Sequence, residues 1–353
     1  MSQGATIKDV AQKAKVSEAT VSLVLNNKAN IRAETRQRVL KAVQQLNYHP
    51  RHAARGLASR KSGNIGFILT DDHFSLAEPF YTKIFLGTEF ESRKFKYYIL
   101  LTTVPRSFRV ETDLPRFLRE RNVDGVLLAG HVPNALSEHI LKLKLPHVFV
   151  DFSPRHKQGN VVMMDNLLGA KLAVRHLLDL GHRRIAFIGG DITHPSIATR
   201  LEGYKQALLE AQLAAADDLI ETVESNTATD DGTRAAEKLL ARGAQFTALF
   251  AANDAMAIGA MQCLKQHGQR IPVDVSIVGF DDVEVGTHTQ PPLTTIRVDK
   301  EELGAVALRR LMEMIETKKE LPGKVFTPVE LVVRQSTAPP ASVANGKLGS
   351  DNS

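Results

Sequence analysis

From Gly63 onward the sequence repeats one pattern, a short and nearly unbroken apolar run followed by a longer stretch whose apolar residues recur at helical spacing. The runs are NIGFILT, YYILLTT, GVLLAG, HVFVDF, RIAFIGG, ALFAAN and VSIVGF. A strand with one solvated face alternates apolar and polar side chains. These runs are apolar on both faces, which suits parallel strands covered by helices on each side. Repeated strand–helix–strand alternation predicts doubly wound α/β lobes. The 353 residues also exceed what one hydrophobic core usually sustains, so two or three domains are expected.

Ligands of such sheets sit beyond the carboxyl ends of the strands, so the residues there are the candidates. They are Asp72, with Glu78, Phe80 and Tyr81, after the first run, and Asp151 after the fourth. His194, Ser196 and Arg200 follow RIAFIGGD, Asn253 and Asp254 follow ALFAA, and Asp281 follows VSIVGF. A forked guanidinium, carboxylates and an amide suit the vicinal hydroxyls of a sugar, against which Phe80 or Tyr81 can lay an aromatic face. Plain structural roles compete: Asp254 as the cap of a helix beginning at Ala255, and Asp282 as a solvated loop carboxylate.

Ahead of the lobes lies a segment of different character. Residues 1–63 carry twelve Lys and Arg against three Asp and Glu, a net +9; the whole chain carries +6, so the remainder is at −3. A basic head on a mildly acidic body is the electrostatic footprint of a nucleic-acid-binding module joined to something else. The head also carries folding signals. Thr6 precedes Ile7, Val10, Ala11 and Ala14 at helical spacing, with Asp9 in the first turn. Ser17 can cap a second helix with an apolar stripe of Val21, Val24 and Leu25, and Glu34–Leu46 gives a third that buries Val39, Ala42, Val43 and Leu46. Three short helices with a tight turn between the first two make a helix-turn-helix, whose second helix enters the major groove. That helix, VSEATVSLVLNN, is rich in small and hydroxyl-bearing residues, as close approach to base edges and phosphates requires. The next stretch, Arg51–Ser59, is helix-like but shorter than the roughly 12–15 residues an isolated helix needs in water. A plain linker, favoured by Gly56 and the following Lys-Ser-Gly, is the alternative there.

The stretches TIKDVAQKAKVSEATVSLVLNN, ETRQRVLKAVQQLNYHP and ARGLASRKSGNIGFI make the chain resemble the LacI/GalR family of bacterial transcription regulators. The resemblance continues through VVMMDNLLGAKLAVRHLLDLGHRRIAFIGG, ANDAMAIGAM, IPVDVSIVGFDD and PPLTTIRVDKEELG, and covers roughly residues 5–336. It implies that Glu18 and Ala19 are specificity positions at the start of the recognition helix, with Leu23 a third. Thr20, Ser22 and Asn26 then belong to the shared phosphate- and base-contacting set, and Thr6, Ser17, Tyr48 and Arg55 complete the DNA-facing residues. Glu18 is acidic, and Leu23 stands where some members are polar or basic. The resemblance further implies a hinge helix at 51–63, with Leu57 wedged into a minor-groove step. The body is similar to periplasmic sugar-binding proteins: a first lobe of about 64–164 and 295–322, a second of about 165–294 and 323–337, and a disordered tail over 338–353. Arg200, Asn253 and Asp281 form the family's cleft trio, while Thr227 occupies a position that is aromatic in several members.

Other function classes find little support. No G-x-S-x-G elbow, Walker loop, G-x-G-x-x-G or H-E-x-x-H is present, the histidines lack clustered carboxylate or cysteine partners for zinc, and no cofactor is implied. The single cysteine, Cys263, reads as a buried helix residue. No run approaches about 18 apolar residues and the start is too charged for a signal peptide, which places the chain in the cytoplasm with no membrane partner and opposes a transport-type binding protein. A purely architectural DNA-bending protein would have no use for a cleft. The expectation is a repressor of carbohydrate-utilisation genes, binding double-stranded operator DNA as a homodimer, with a tetramer left open. A sugar or sugar derivative is the expected effector.

Overall fold

The computed structural model describes residues 5–25, 31–48, 61–71, 80–154, 159–224 and 227–341. It divides into two units, Met1–Gly63 and Asn64–Ser353.

In the first unit, α1 is Ile7–Ala14, α2 is Glu18–Leu25 and α3 is Ala33–Gln45. Thr6 opens α1 with a reciprocal cap: its Oγ1 accepts from the Asp9 amide (3.4 Å), and its own amide donates to Asp9 Oδ2 (2.7 Å). Lys15, in the left-handed region at φ 53°, ends α1 and turns the chain. Two residues on, Ser17 Oγ accepts from the Thr20 amide (3.1 Å) and opens α2. Val10, Ala11 and Ala14 of α1, Val21 and Val24 of α2, Val39 and Ala42 of α3, and Tyr48 form the small core, with Leu25, Val43 and Leu46 partly buried against it. Of the segment expected to be a hinge, 51–63, residues 51–60 lie outside the described residues.

The second unit holds two six-stranded sheets. In chain order its elements are β1 (Asn64–Thr70), α4 (Phe80–Phe95), β2 (Tyr98–Val104), β3 (Gly125–Ala129), α5 (Asn134–Leu143), β4 (His147–Val150) and β5 (Asn160–Met164). Then come α6 (Asn166–Asp179), β6 (Ile185–Gly189), α7 (Pro195–Glu210), β7 (Ile220–Thr222), α8 (Thr229–Ala241), β8 (Ala248–Ala251), α9 (Asp254–Gln266) and β9 (Ser276–Asp281). The chain finishes with β10 (Thr294–Val298), α10 (Lys300–Thr317), β11 (Gly323–Thr327) and β12 (Val329–Val332). One sheet has the order β11-β5-β4-β3-β1-β2 and the other β12-β10-β9-β8-β6-β7. All pairings are parallel except β10 with β12. Strands β3, β4, β5, β6, β8 and β9 are buried along their whole length, which is why they are apolar except at their ends, where His147, Asn160, Ser276 and Asp281 stand.

The chain passes between lobes three times, from β5 into α6, from β10 into α10, and from β11 to β12 across Pro328. These crossings differ from the boundaries expected at 295 and 323. β10 pairs in register with β9 and belongs to the second sheet, and β11 pairs with β5 and belongs to the first. Helix α10 returns to the first lobe and lies tightly on α4, where a Cβ on Gly87 would sit 1.9 Å from the Glu301 carbonyl oxygen. The expected tail boundary also moves: Ala338 is ordered, its amide donating to Ser276 Oγ (2.9 Å) while its carbonyl lies 2.9 Å from His182 Nε2. Among the described residues, no helix is long and apolar enough to cross a membrane.

Candidate functional site

On α2, Glu18, Ala19 and Leu23 are exposed while Thr20 and Ser22 are half-buried. Residues 18, 19, 22 and 23 share one side of a helix, and the buried Val21 and Val24 hold the opposite side on the core. Leu23 is 43% exposed on a helix otherwise dominated by small side chains. Thr6 and Ser17 are capping residues. Tyr48, expected among the DNA contacts, is 7% exposed and belongs to the headpiece core. Asn26, Arg55 and Leu57 lie outside the described residues.

In the body, the carboxyl ends of the two sheets bring together most of the strand-end candidates. Asp151 follows β4 in the left-handed region, φ 55°, and its buried carboxylate accepts two hydroxyls. Tyr81, from α4 of the same lobe, donates to Oδ2 (2.9 Å), and Ser196, from α7 of the other lobe, donates to Oδ1 (2.7 Å). The second bond spans the cleft. Burial first, and then the neighbouring Asp151 charge, push the Tyr81 hydroxyl pKa well above its usual value, so it stays a donor.

Arg200 occupies the centre of the second lobe's face. Its Nε donates to Asn166 Oδ1 (2.8 Å), one terminal nitrogen to the Ala252 carbonyl and the other to Asp281 Oδ1 (3.3 Å), while its guanidinium lies 3.7 Å from the centroid of the Phe280 ring. Asp281 and Asp282 end β9 with φ values of 108° and 55°. Non-glycine residues held there cost about 1–3 kcal/mol each, a strain that persists where the surroundings over-determine it. Here they do: Lys300, at the start of α10, donates to the carbonyls of Asp281 and Val298. Burial raises the Asp281 pKa, against the opposing pull of Arg200 and Lys300. The same burial lowers that of Lys300.

Behind this layer, Asp254 is pushed up to about 8, first by burial and then by the charge of Asp281. It accepts from the Val283 amide (2.8 Å) and from Thr295 Oγ1. Gly279 leaves room for it, since a Cβ there would sit 2.1 Å from its Oδ1. The cap of α9 is therefore Asn253 and not Asp254: Asn253 Oδ1 accepts from the Met256 amide (2.9 Å), and its Nδ2 donates to the Thr227 carbonyl (2.9 Å). Asp282 is not a solvated loop carboxylate either. It pairs with Arg297 (2.7 Å) and Arg334, whose hydrogen bonds overcome burial and hold its pKa low.

Phe80 begins α4, edge-on to Tyr81 at 5.1 Å between centroids and 5.8 Å from Lys300 Nζ. His194 caps α7 and faces the opposite lobe. Asp72, with Glu78, lies outside the described residues. Four residues of this face were not found from sequence: His131, Asn166, Phe280 and Lys300. Phe280 and Asn166 border motifs already singled out, but Lys300 reads as an ordinary solvated lysine in a helical first turn. Among the described residues no three His, Cys, Asp or Glu could together hold a metal ion.

Comparison with known proteins agrees with both parts. Residues 6–51 match the family model "Bacterial regulatory proteins, lacI family", and residues 174–337 match "Periplasmic binding protein-like domain". The ribose operon repressor of Haemophilus influenzae is 35% identical, over 90% of this chain and 93% of that protein. Among solved structures, the lac repressor dimer bound to operator and the anti-inducer ONPF has 31% identity and a TM-score of 0.81, covering 95% of this chain and 100% of that one. The transcriptional regulator CelR in complex with cellobiose has 31% identity and a TM-score of 0.73, covering 94% and 99%.

Proposed function

Because the chain belongs to the LacI family of bacterial regulatory proteins, DNA-binding transcriptional repressors with a ligand-binding body, we propose that it works as a dimer whose interlobe cleft takes a sugar and thereby controls its grip on a pseudo-palindromic operator. Its relatives are repressors, not enzymes.

The observation that carries the effector reading is the Ser196–Asp151 hydrogen bond between lobes (2.7 Å). Asp151 receives two hydroxyl donors, from Tyr81 and Ser196, and a vicinal diol offers the same pair of donors. A sugar entering the cleft can replace these contacts, with Arg200 and Asp281 in reach as an oriented donor and acceptor and Phe80 as an apolar wall. Since the contacts come from opposite lobes, ligand and lobe angle share one free energy. The names of the compared proteins, with ribose and cellobiose in them, favour a carbohydrate.

On the DNA side, α2 is the reading helix, with Glu18, Ala19 and Leu23 facing bases and Thr20 and Ser22 at its flanks. Exposed Leu23 suits the thymine methyl in the major groove, and Glu18 can accept from cytosine N4. Phosphate contacts fall to the basic head, in which Asn26, Arg55 and the hinge leucine Leu57 are assigned by the resemblance of the sequence alone. One such headpiece contacts too few bases to find a site in a genome, so two are required. Exposed apolar residues for pairing are available on the first lobe: Leu86 and Phe90, one turn apart on α4, and Tyr98 on the edge strand β2.

Two measurements test this. Selection of random duplexes by the full chain should return an inverted repeat, bound with an affinity that falls steeply with salt. A thermal-shift panel of pentoses, hexoses and disaccharides should contain at least one stabilising sugar, about 2.7 kcal/mol at a hundredfold excess over its dissociation constant. Recovery of direct repeats or no consensus removes the operator reading; a panel without effect, alongside a response to nucleobases or phosphates, removes the sugar.

A further inference from the structure

Two imidazoles face each other across the cleft. His131 follows β3 in the first lobe and rests on Phe152, ring centroids 5.4 Å apart; His194 precedes α7 in the second, and its ring centroid lies 6.3 Å from that of His131. His194 has a further task. Its Nδ1 accepts from the Ser196 amide (3.3 Å) and so caps α7. Ser196 is also the residue whose hydroxyl reaches Asp151 in the opposite lobe. The cap and the interlobe bond thus share Ser196, through its amide and its hydroxyl.

We propose that His194, opposed by His131, makes closure of the cleft proton-sensitive, the closed form requiring a neutral His194 and acid releasing the Ser196–Asp151 contact. The requirement follows from geometry. A nitrogen that accepts from an amide cannot carry a proton, and an imidazolium at the first turn of a 16-residue helix meets the positive end of the helix dipole. Protonation replaces the cap by a donor set against a donor, freeing the turn that aims Ser196.

The charged groups around His194 act in both directions. Burial, Arg200 of α7 and His131 of the first lobe disfavour its charge, while Asp151 after β4 and Asp191 in the β6–α7 loop favour it; the first set prevails and its pKa is lowered. Asp191 is already engaged by the amide (2.7 Å) and hydroxyl (2.7 Å) of Thr193. Opening the lobes separates His194 from both His131 and Asp151, whose effects oppose each other, and exposes the ring; relief of burial, the largest influence, returns His194 toward the ordinary value of about 6.5. The open form therefore binds the proton more tightly, and closure is favoured above that value and weakened as pH falls through it. If the cleft is the effector site proposed above, effector affinity inherits this dependence. Closure itself is measured with neither ligand nor DNA, so its test stands apart from that reading.

The test is a distance measurement by double electron–electron resonance on the full chain, with nitroxides at N134C and I192C. Both positions are exposed, one in each lobe beside the histidine pair, and the native Cys263 is buried. Between about pH 8 and about pH 5 the distance distribution should shift to longer values in the labelled parent. In H194N it should not shift, since Asn caps a helix but does not titrate. H131Q, which keeps the cap and removes the opposing ring, should shift less than the parent. Circular dichroism at each pH restricts the comparison to folded samples. A parent distribution that is the same at both pH values, or an H194N distribution that moves as far as the parent's, overturns the proposal.

Discussion

Arg200→Ala is the substitution that most directly separates a binding role from a structural one. Arg200 is 4% exposed and makes three kinds of hydrogen bond, to Asn166, to the Ala252 carbonyl and to Asp281, besides lying over Phe280. Truncation leaves the buried carboxylate of Asp281 without its guanidinium partner and with only the Lys300 charge nearby, and breaking one side of such a pair costs about 3–5 kcal/mol. Against a typical total of roughly 5–15 kcal/mol, the variant remains folded at room temperature with a markedly lower urea midpoint. A simple loss of effector response with stability intact is therefore not expected. The penalty has a signature. Without Arg200 the Asp281 pKa rises further, so the destabilisation is full at pH above that raised value and shrinks as pH falls through it and the carboxyl takes a proton. Asp281→Asn added to Arg200→Ala removes the uncompensated charge, so the double variant should be more stable than Arg200→Ala alone. Urea titrations of parent, both singles and the double at neutral and mildly acidic pH supply the full cycle. Equal losses at both pH values, with the two single effects adding, would refute the argument that buried charge dominates.

Three further outcomes follow from particular contacts. Gly87→Ala places a methyl against the Glu301 carbonyl and should cost about 1–3 kcal/mol or more by urea titration, with the loss in the first lobe's hydrogen-exchange protection. His182 is buried with its pKa lowered chiefly by burial, so its stabilising effect is present above about pH 6.5 and is lost as pH falls through the folded value; thermal melts of His182→Gln should show a shallower acid decline than the parent. Lys300→Met leaves the carbonyls of Asp281 and Val298 without a buried donor, an expected cost of about 1–3 kcal/mol, and should weaken effector binding in the thermal-shift panel because Asp281 loses its anchor.

The lobes are legible because burial on both faces leaves a simple trace: five of the six strands buried throughout, β3, β4, β6, β8 and β9, fall in the apolar runs, with His147, Ser276 and Asp281 as polar residues at their ends. β7 (Ile220–Thr222) leaves no such trace, being a half-buried edge strand of three residues without a run to read. The lobe crossings after β10 and β11 are not legible, because strand membership there is decided by pairing across the sheet, and Thr294–Val298 would suit either sheet by composition. The ordered stretch through Ala338 is hidden for a related reason, since its anchors, His176, His182 and Ser276, are distant in sequence and each is unremarkable alone. In the cleft, Asp151, Ser196, Arg200 and Asp281 could be named because charged and hydroxyl residues at strand ends stand out against apolar runs. Lys300 and His131 could not. One enters from a helix of the other lobe, and the other gains meaning only from the ring it faces.

The measurement that bears most directly on the account is the affinity of the full chain for its selected duplex with and without a stabilising sugar, together with the affinity for that sugar with and without the duplex. Coupling through one lobe equilibrium predicts that the sugar changes DNA affinity by some factor, commonly about 5–150, and that DNA changes sugar affinity by the same factor. Two tight bindings that leave each other unaltered would contradict it.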